Sequence, residues 1–168
     1  MAMRKKTFFI ILFFLLGYQA FGQLVNYPDI MNNGTVFLHG GVGFSLGPDN
    51  RYTPSGNIVT DFAVPLFALP FTTGFAVTYA GENKVKGETK SEYNVGIGFR
   101  LGYHFNTGVK QLDPYALLTL GGIVSDYPLF WLGLGGGARF FFLPRFGAFA
   151  EFTMGNLHNI SFGLAFKL

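Results

Sequence analysis

From Tyr93 to Phe105 every second residue is large and apolar: Tyr93, Val95, Ile97, Phe99, Leu101, Tyr103 and Phe105. The residues between them, Asn94, Gly96, Gly98, Arg100, Gly102 and His104, are small or polar. An unbroken period of two over this length marks a β-strand with two unlike faces. Tyrosines stand near both ends of the apolar face. The distance from Tyr93 to Tyr103, at ~3.3 Å per residue and a tilt of ~40°, projects to roughly 25 Å, the height of the apolar band on a membrane-spanning barrel.

The end of the chain repeats the pattern. Ile160, Phe162, Leu164, Phe166 and Leu168 share one parity, and Ser161, Gly163, Ala165 and Lys167 the other. A soluble sandwich would turn its bulky face to a core and its polar face to water, which leaves the glycines without a purpose. In a narrow barrel the logic inverts: bulky residues face lipid, small ones let the walls approach, and a few long polar side chains fill the lumen. Segments 35–46, 58–71, 74–80, 92–105, 114–124, 130–143, 147–154 and 158–168 all read as strands. An even count suits closure. Pro65 and Pro70 each lack a ladder donor, so the second segment needs them at bulges or strand ends. The expected fold is all-β, an eight-stranded antiparallel transmembrane β-barrel with up-and-down meander connectivity.

The first residues set the address. Arg4, Lys5 and Lys6 precede an unbroken apolar run from Phe8 to Leu16, followed by the small-x-small site Ala20-Phe21-Gly22. This is the layout of a secretory signal peptide, 1–22, cleaved after Gly22, with the barrel domain occupying 23–168. The apolar run, at ~1.5 Å per residue, reaches only about half of a ~30 Å hydrocarbon core, too short for an anchor. The chain has no cysteine, hence no disulfide, thiolate metal site or thiol for a lipid anchor.

Export also corrects the charge. The full chain carries 12 Lys and Arg against 9 Asp and Glu; without Arg4, Lys5 and Lys6 the expected mature chain is formally neutral. No Lys/Arg cluster remains, so nucleic acid is not an expected partner. Only 12% of residues are charged, while Phe numbers 22 and Gly 24; soluble domains usually carry about twice that charge. No later stretch is a candidate membrane helix.

With the N-terminus in the periplasm, the connections 47–57, 81–91, 125–129 and 155–157 are expected outside. Their Pro, Gly, Asn, Asp and Ser content is turn chemistry. Glu82, Lys84, Lys86, Glu88 and Lys90 mix both signs, as a solvated hairpin tip does, and point to no particular surface ligand.

Gly98-Phe99-Arg100-Leu101-Gly102-Tyr103-His104-Phe105, Leu112-Asp113-Pro114-Tyr115, the run from Gly137 to Gly147 and the ending Phe162-Gly163-Leu164-Ala165-Phe166-Lys167-Leu168 can be taken together. In these segments the chain resembles the small outer-membrane β-barrel proteins of Bacteroidetes and some spirochaetes, akin to OmpA/OmpX-type barrels. The resemblance spans nearly all of 23–168 and rests on turns and strand faces, so it implies fold and location rather than activity. Phe162, Leu164, Phe166 and Leu168 resemble the C-terminal signal read by the barrel-assembly machinery, here ending in Leu rather than an aromatic residue. The implied partners are that machinery, membrane lipid and lipopolysaccharide, with the barrel monomeric.

Inward parity collects the polar residues. A three-residue turn at Pro144-Arg145-Phe146 would set Arg139 opposite Glu151, a natural pair in a narrow lumen. Arg100, His104, His39, Asn94, Thr153 and Lys167 extend the set. The simplest role is a polar network that plugs the lumen and fixes register.

Catalysis needs a nucleophile and a base within reach. His158 and Ser161 have opposite parity, and His39 and Ser45 lie ~20 Å apart along a strand, so neither forms a dyad. Three scattered histidines offer no metal cluster, and no cofactor is expected. The glycine-rich run Gly133-Leu134-Gly135-Gly136-Gly137 lacks the helix a phosphate loop needs. The expected function is a non-enzymatic barrel with a structural or surface-interaction role. The alternatives are a lipid-modifying outer-membrane enzyme and a narrow channel or hydrophobic-ligand carrier.

Overall fold

The computed structural model describes residues 31, 32, 34–46, 52–66, 69–84, 91–124, 129–155 and 158–168. The proposed signal peptide with its cleavage residues Ala20 and Gly22, and residues 47–51, 67–68, 85–90, 125–128 and 156–157 between strands, lie outside the described residues. Eight strands follow in order: β1 Val36–Leu46, β2 Tyr52–Leu66, β3 Leu69–Lys84, β4 Ser91–His104, β5 Leu112–Val124, β6 Leu129–Phe140, β7 Phe146–Gly155 and β8 His158–Lys167. Each pairs antiparallel with its neighbours, and β1 also pairs with β8, so the sheet closes as a meander barrel. Closure leaves no sheet edge unpaired, the only way a sheet can bury all of its main-chain groups without outside partners.

The alternation seen in the sequence is carried through the wall. Phe130 is 63% exposed on the outside, whereas Arg139 on the same strand is 0% exposed within. Phe75, Ile97, Phe99, Leu134, Phe152, Phe162, Leu164 and Phe166 continue the exposed apolar belt. The interior is layered. Met31, Phe37, Ala63, Phe141, Phe149 and Ala165 form an apolar plug at the end carrying the β2–β3, β4–β5 and β6–β7 connections, called here the turn end. Val59, Ala76, Ala80, Ile123 and Trp131 pack toward the opposite, loop end. On β2, Asp61 lies between Ala63 of the first cluster and Val59 of the second, and a charged layer occupies that level.

Several boundaries differ from the sequence reading, among them the end of β3, at Lys84 rather than Ala80, and the end of β6, at Phe140 rather than Leu143. The β2–β3 hairpin turns between Leu66 and Leu69, not at 72–73, and β2 starts at Tyr52 rather than Ile58. Pro65 and Pro70 stand opposite each other beside this turn, where a missing donor is tolerated at the end of the ladder. Between β4 and β5, Asn106 accepts a hydrogen bond from the Gly108 amide at 2.9 Å. Gly108 adopts φ 73°, a left-handed conformation that glycine takes without steric cost.

Candidate functional site

The charged layer draws on six strands. Arg100 of β4 reaches across the lumen to Glu151 of β7 with two parallel bonds, Nη1 to Oε1 and Nη2 to Oε2, both 2.9 Å. Its Nε donates to Oδ1 of Asp61 on β2 at 3.2 Å. Arg139 of β6 donates to Asp113 Oδ2 at 3.1 Å and to Asp61 Oδ2. Its guanidinium lies 4.4 Å from the Phe37 ring centroid and 4.5 Å from that of Tyr115, a cation held between two aromatic faces. Tyr115 donates to Glu151 Oε2 at 2.9 Å. His39 Nε2 lies 3.5 Å from the same oxygen.

The pairing of Arg139 with Glu151 expected from the sequence is therefore incorrect. Main-chain bonds join Leu143 and Phe146 around Pro144 and Arg145, and Phe141 leaves the β6–β7 ladder to bond Gln111. The register sets Arg139 opposite Phe149 and Glu151 opposite Gly137. A slip of two residues keeps every side chain on its face. Both residues thus point inward as expected, each to a different partner. Arg100, His104 and His39 join the layer, Thr153 is buried toward the loop end, Asn94 is half-buried opposite Ala80, and Lys167 caps the turn end with its ammonium 6.0 Å from the Phe141 ring.

Asp61, Asp113 and Tyr115 were not among the expected lumen residues. Asp61 could have been found as a lone carboxylate of inward parity within an apolar strand. Asp113 was hidden by starting β5 at Pro114, which leaves it in a turn, whereas the strand begins at Leu112.

Glycines make the network possible. Asp61, Gly74 and Arg100 stand side by side on β2, β3 and β4, and Tyr115, Gly137 and Glu151 do so on β5, β6 and β7. In each trio the outer two side chains bond over the glycine. A Cβ at Gly137 would lie 2.8 Å from the Tyr115 hydroxyl and 2.7 Å from the Ala150 carbonyl oxygen. Gly137→Ala is accordingly expected to destabilise the barrel by about 1–3 kcal/mol, read by urea unfolding with the single tryptophan, Trp131, as probe. Gly122 is the control, because a Cβ there would meet nothing within 4 Å, and its alanine variant should unfold like the parent.

Nearer the loop end, beside the apolar cluster around Trp131, neutral polar side chains are buried as well. Ser55 donates to Asn159 at 2.8 Å, and Asn57 to Ser161 at 3.0 Å, linking β2 to β8 past β1.

One arrangement has the order of a hydrolytic triad. Thr72 Oγ1 lies 3.0 Å from His104 Nε2, and His104 Nδ1 lies 2.6 Å from Asp113 Oδ1. Strand parity in the sequence does not reveal it, because Thr72 falls there in a turn. Its burial speaks for a structural role. Thr72 and His104 are each 1% exposed, the imidazole stacks on Phe37, and Asp113 also serves Arg139. A substrate carbonyl has no approach to that hydroxyl. His158 and Ser161, set by β8 at opposite parities, pair in register with Leu46 and Gly43. Among the described residues no cluster of His, Cys, Asp and Glu suits a metal ion.

Solved structures share this architecture. Ail, the attachment invasion locus protein of Yersinia pestis, crystallised with the heparin analogue sucrose octasulfate, superposes with a TM-score of 0.57 at 14% identity, covering 82% of this chain and 100% of its own. The chain has the fold of small outer-membrane β-barrels. Neisserial surface protein A is similar at a TM-score of 0.51 and 19% identity, covering 82% and 98% of the two chains. A de novo designed transmembrane β-barrel matches at 0.53 and 19%, covering 82% and 98%. No protein-family model and no curated protein sequence matches the chain. At these identities the likeness concerns fold.

Proposed function

We propose that this protein is a non-enzymatic outer-membrane barrel with a structural or surface-interaction role, exported with cleavage after Gly22 so that 23–168 form the mature domain. The observation that carries this reading is the inversion of the molecule. Large apolar side chains ring the outside, while Arg100, Arg139, Asp61, Asp113 and Glu151 are buried within. Water would have to solvate that belt, whereas hydrocarbon suits it. The shared fold of Ail and Neisserial surface protein A agrees with a bacterial outer membrane.

In this reading the turn end faces the periplasm and the four connections of the loop end face outward. Lipid and lipopolysaccharide cover the belt of a monomeric barrel. Phe162, Leu164, Phe166 and Leu168, all exposed along β8 and at its end, present the signal taken up by the barrel-assembly machinery. The filled lumen favours a plugged cylinder over a channel or carrier, because Phe37, Arg100, Tyr115, Arg139 and Phe149 take up an interior that eight strands keep narrow. The burial of Thr72 and His104 disfavours an enzyme.

Fractionation tests the location. The mature protein is expected in the outer-membrane fraction, with mobility on a gel that changes on heating; recovery from the soluble periplasm without that change would overturn the membrane reading. In planar bilayers the purified barrel is expected to pass no steady current, and a stable ion-selective conductance would overturn the plugged lumen.

A further inference from the structure

Two cationic side chains from separate segments line one pocket at the turn end, Lys110 before β5 and Lys167 at the close of β8, and Arg145 follows the lining residue Pro144 in the β6–β7 turn. Main-chain bonds draw the segments together. The Lys167 amide bonds the Arg145 carbonyl at 2.9 Å, and the Phe141 amide bonds the carbonyl of Gln111, next to Lys110, at 2.8 Å. Between them lies a pocket of about 250 Å³ lined by Lys110, Gln111, Phe141, Phe142, Leu143, Pro144 and Lys167. Phe141 is its buried floor, with Lys167 over that ring. Among the described residues no acidic side chain lies at this end. Asp113, the nearest along the chain, is 0% exposed and already joined to His104 and Arg139. The connections at the loop end, by contrast, mix both signs.

We propose that this pocket binds the phosphate headgroup of an anionic glycerophospholipid in the leaflet that meets the turn end. Two features select a lipid over a soluble anion. The pocket is of headgroup size, and Phe142 and Leu143 on its wall, 52% and 57% exposed, merge into the lower edge of the apolar belt with Phe140, Phe166 and Leu168. An anion seated there has hydrocarbon beside it and the ammonium groups of Lys110 and Lys167 around it, the surroundings of a phosphate at a membrane surface. A cation at such a surface strengthens anionic-lipid binding by about 1 kcal/mol, roughly fivefold in affinity. Carboxamide and main-chain groups around Gln111 supply donors that can orient the phosphate oxygens.

The inference rests on the membrane reading above, and on its orientation for the choice of leaflet. Its test uses the whole refolded barrel in neutral detergent, with phosphatidylglycerol and phosphatidylcholine of equal chain length competing, followed by native mass spectrometry. The expected result is preferential retention of phosphatidylglycerol, weakened roughly fivefold by each of Lys110→Gln and Lys167→Gln. The exposed rim positions should leave heat-modifiable folding intact, which is checked on the same samples. Equal retention of the two lipids, or an undiminished preference in the double variant, overturns the proposal. So does displacement of the lipid by an equal concentration of inorganic phosphate, which would mark a site for free anion. Orientation is tested separately. Because the chain has no cysteine, Lys110→Cys gives a unique thiol, expected to resist an impermeant maleimide on intact cells. Labelling there would overturn the orientation and move the site to the lipopolysaccharide side, while the lipid competition would still stand or fall by itself.

Discussion

Arg139→Ala is expected to destabilise the barrel by about 3–5 kcal/mol, the cost of leaving buried carboxylates without their cation. Asp113 and Asp61 both lose a charge-assisted bond, and Phe37 and Tyr115 lose the guanidinium between their rings. Urea unfolding in vesicles, followed through Trp131, gives the value. Arg139→Lys is not a substitute, because one ammonium cannot serve both aspartates and stack between two planes. The companion variant Arg139→Met with Asp61→Asn and Asp113→Asn removes the stranded charges together and is expected to recover part of the loss. A single variant as stable as the parent would show that water reaches this layer and solvates the carboxylates.

Phe99→Arg is the second large effect. Phe99 stands on the outward face between Phe75 and Leu120, midway along β4, and a guanidinium placed there would meet the middle of the hydrocarbon. The expected destabilisation is about 2–4 kcal/mol in bilayer vesicles. The same change at Phe142, beside the β6–β7 turn, is expected to cost no more than about 1 kcal/mol, since the side chain reaches the interface. Depth dependence is the diagnostic. Equal losses at both positions would mean that the belt is covered by something other than a bilayer, such as protein.

The fold was legible because the period of two is a local property. The faces of 93–105 and 158–168 follow from parity alone, and the structure keeps them. Strand ends were less legible. Pro65 and Pro70 mark a hairpin only when seen opposite each other, and nothing local distinguishes Asp113 in a turn from Asp113 as the second residue of β5. The composition of the lumen followed from parity, whereas its wiring did not. Which carboxylate meets which guanidinium depends on register and on distances across the barrel. The two-residue error between β6 and β7 left Arg139 and Glu151 on the correct face with the wrong partners. Gly74 and Gly137 were readable as small inward residues. That each sits beneath a polar contact between its neighbours is visible only once three adjacent strands are aligned.

The bond between Arg100 and Glu151 joins β4 to β7, strands that are not neighbours in the sheet. A flat or half-curled sheet cannot form it, because the two side chains meet only across a closed cylinder. The same holds for Arg139 on β6 and Asp61 on β2. During assembly Arg100 can already meet Asp61 over Gly74 within β2, β3 and β4, whereas Glu151 gains Arg100, and Asp61 gains Arg139, only when β1 reaches β8. The interior thus rewards local pairing first and completion of the ring last, because the bonds across the lumen are added only by the final step.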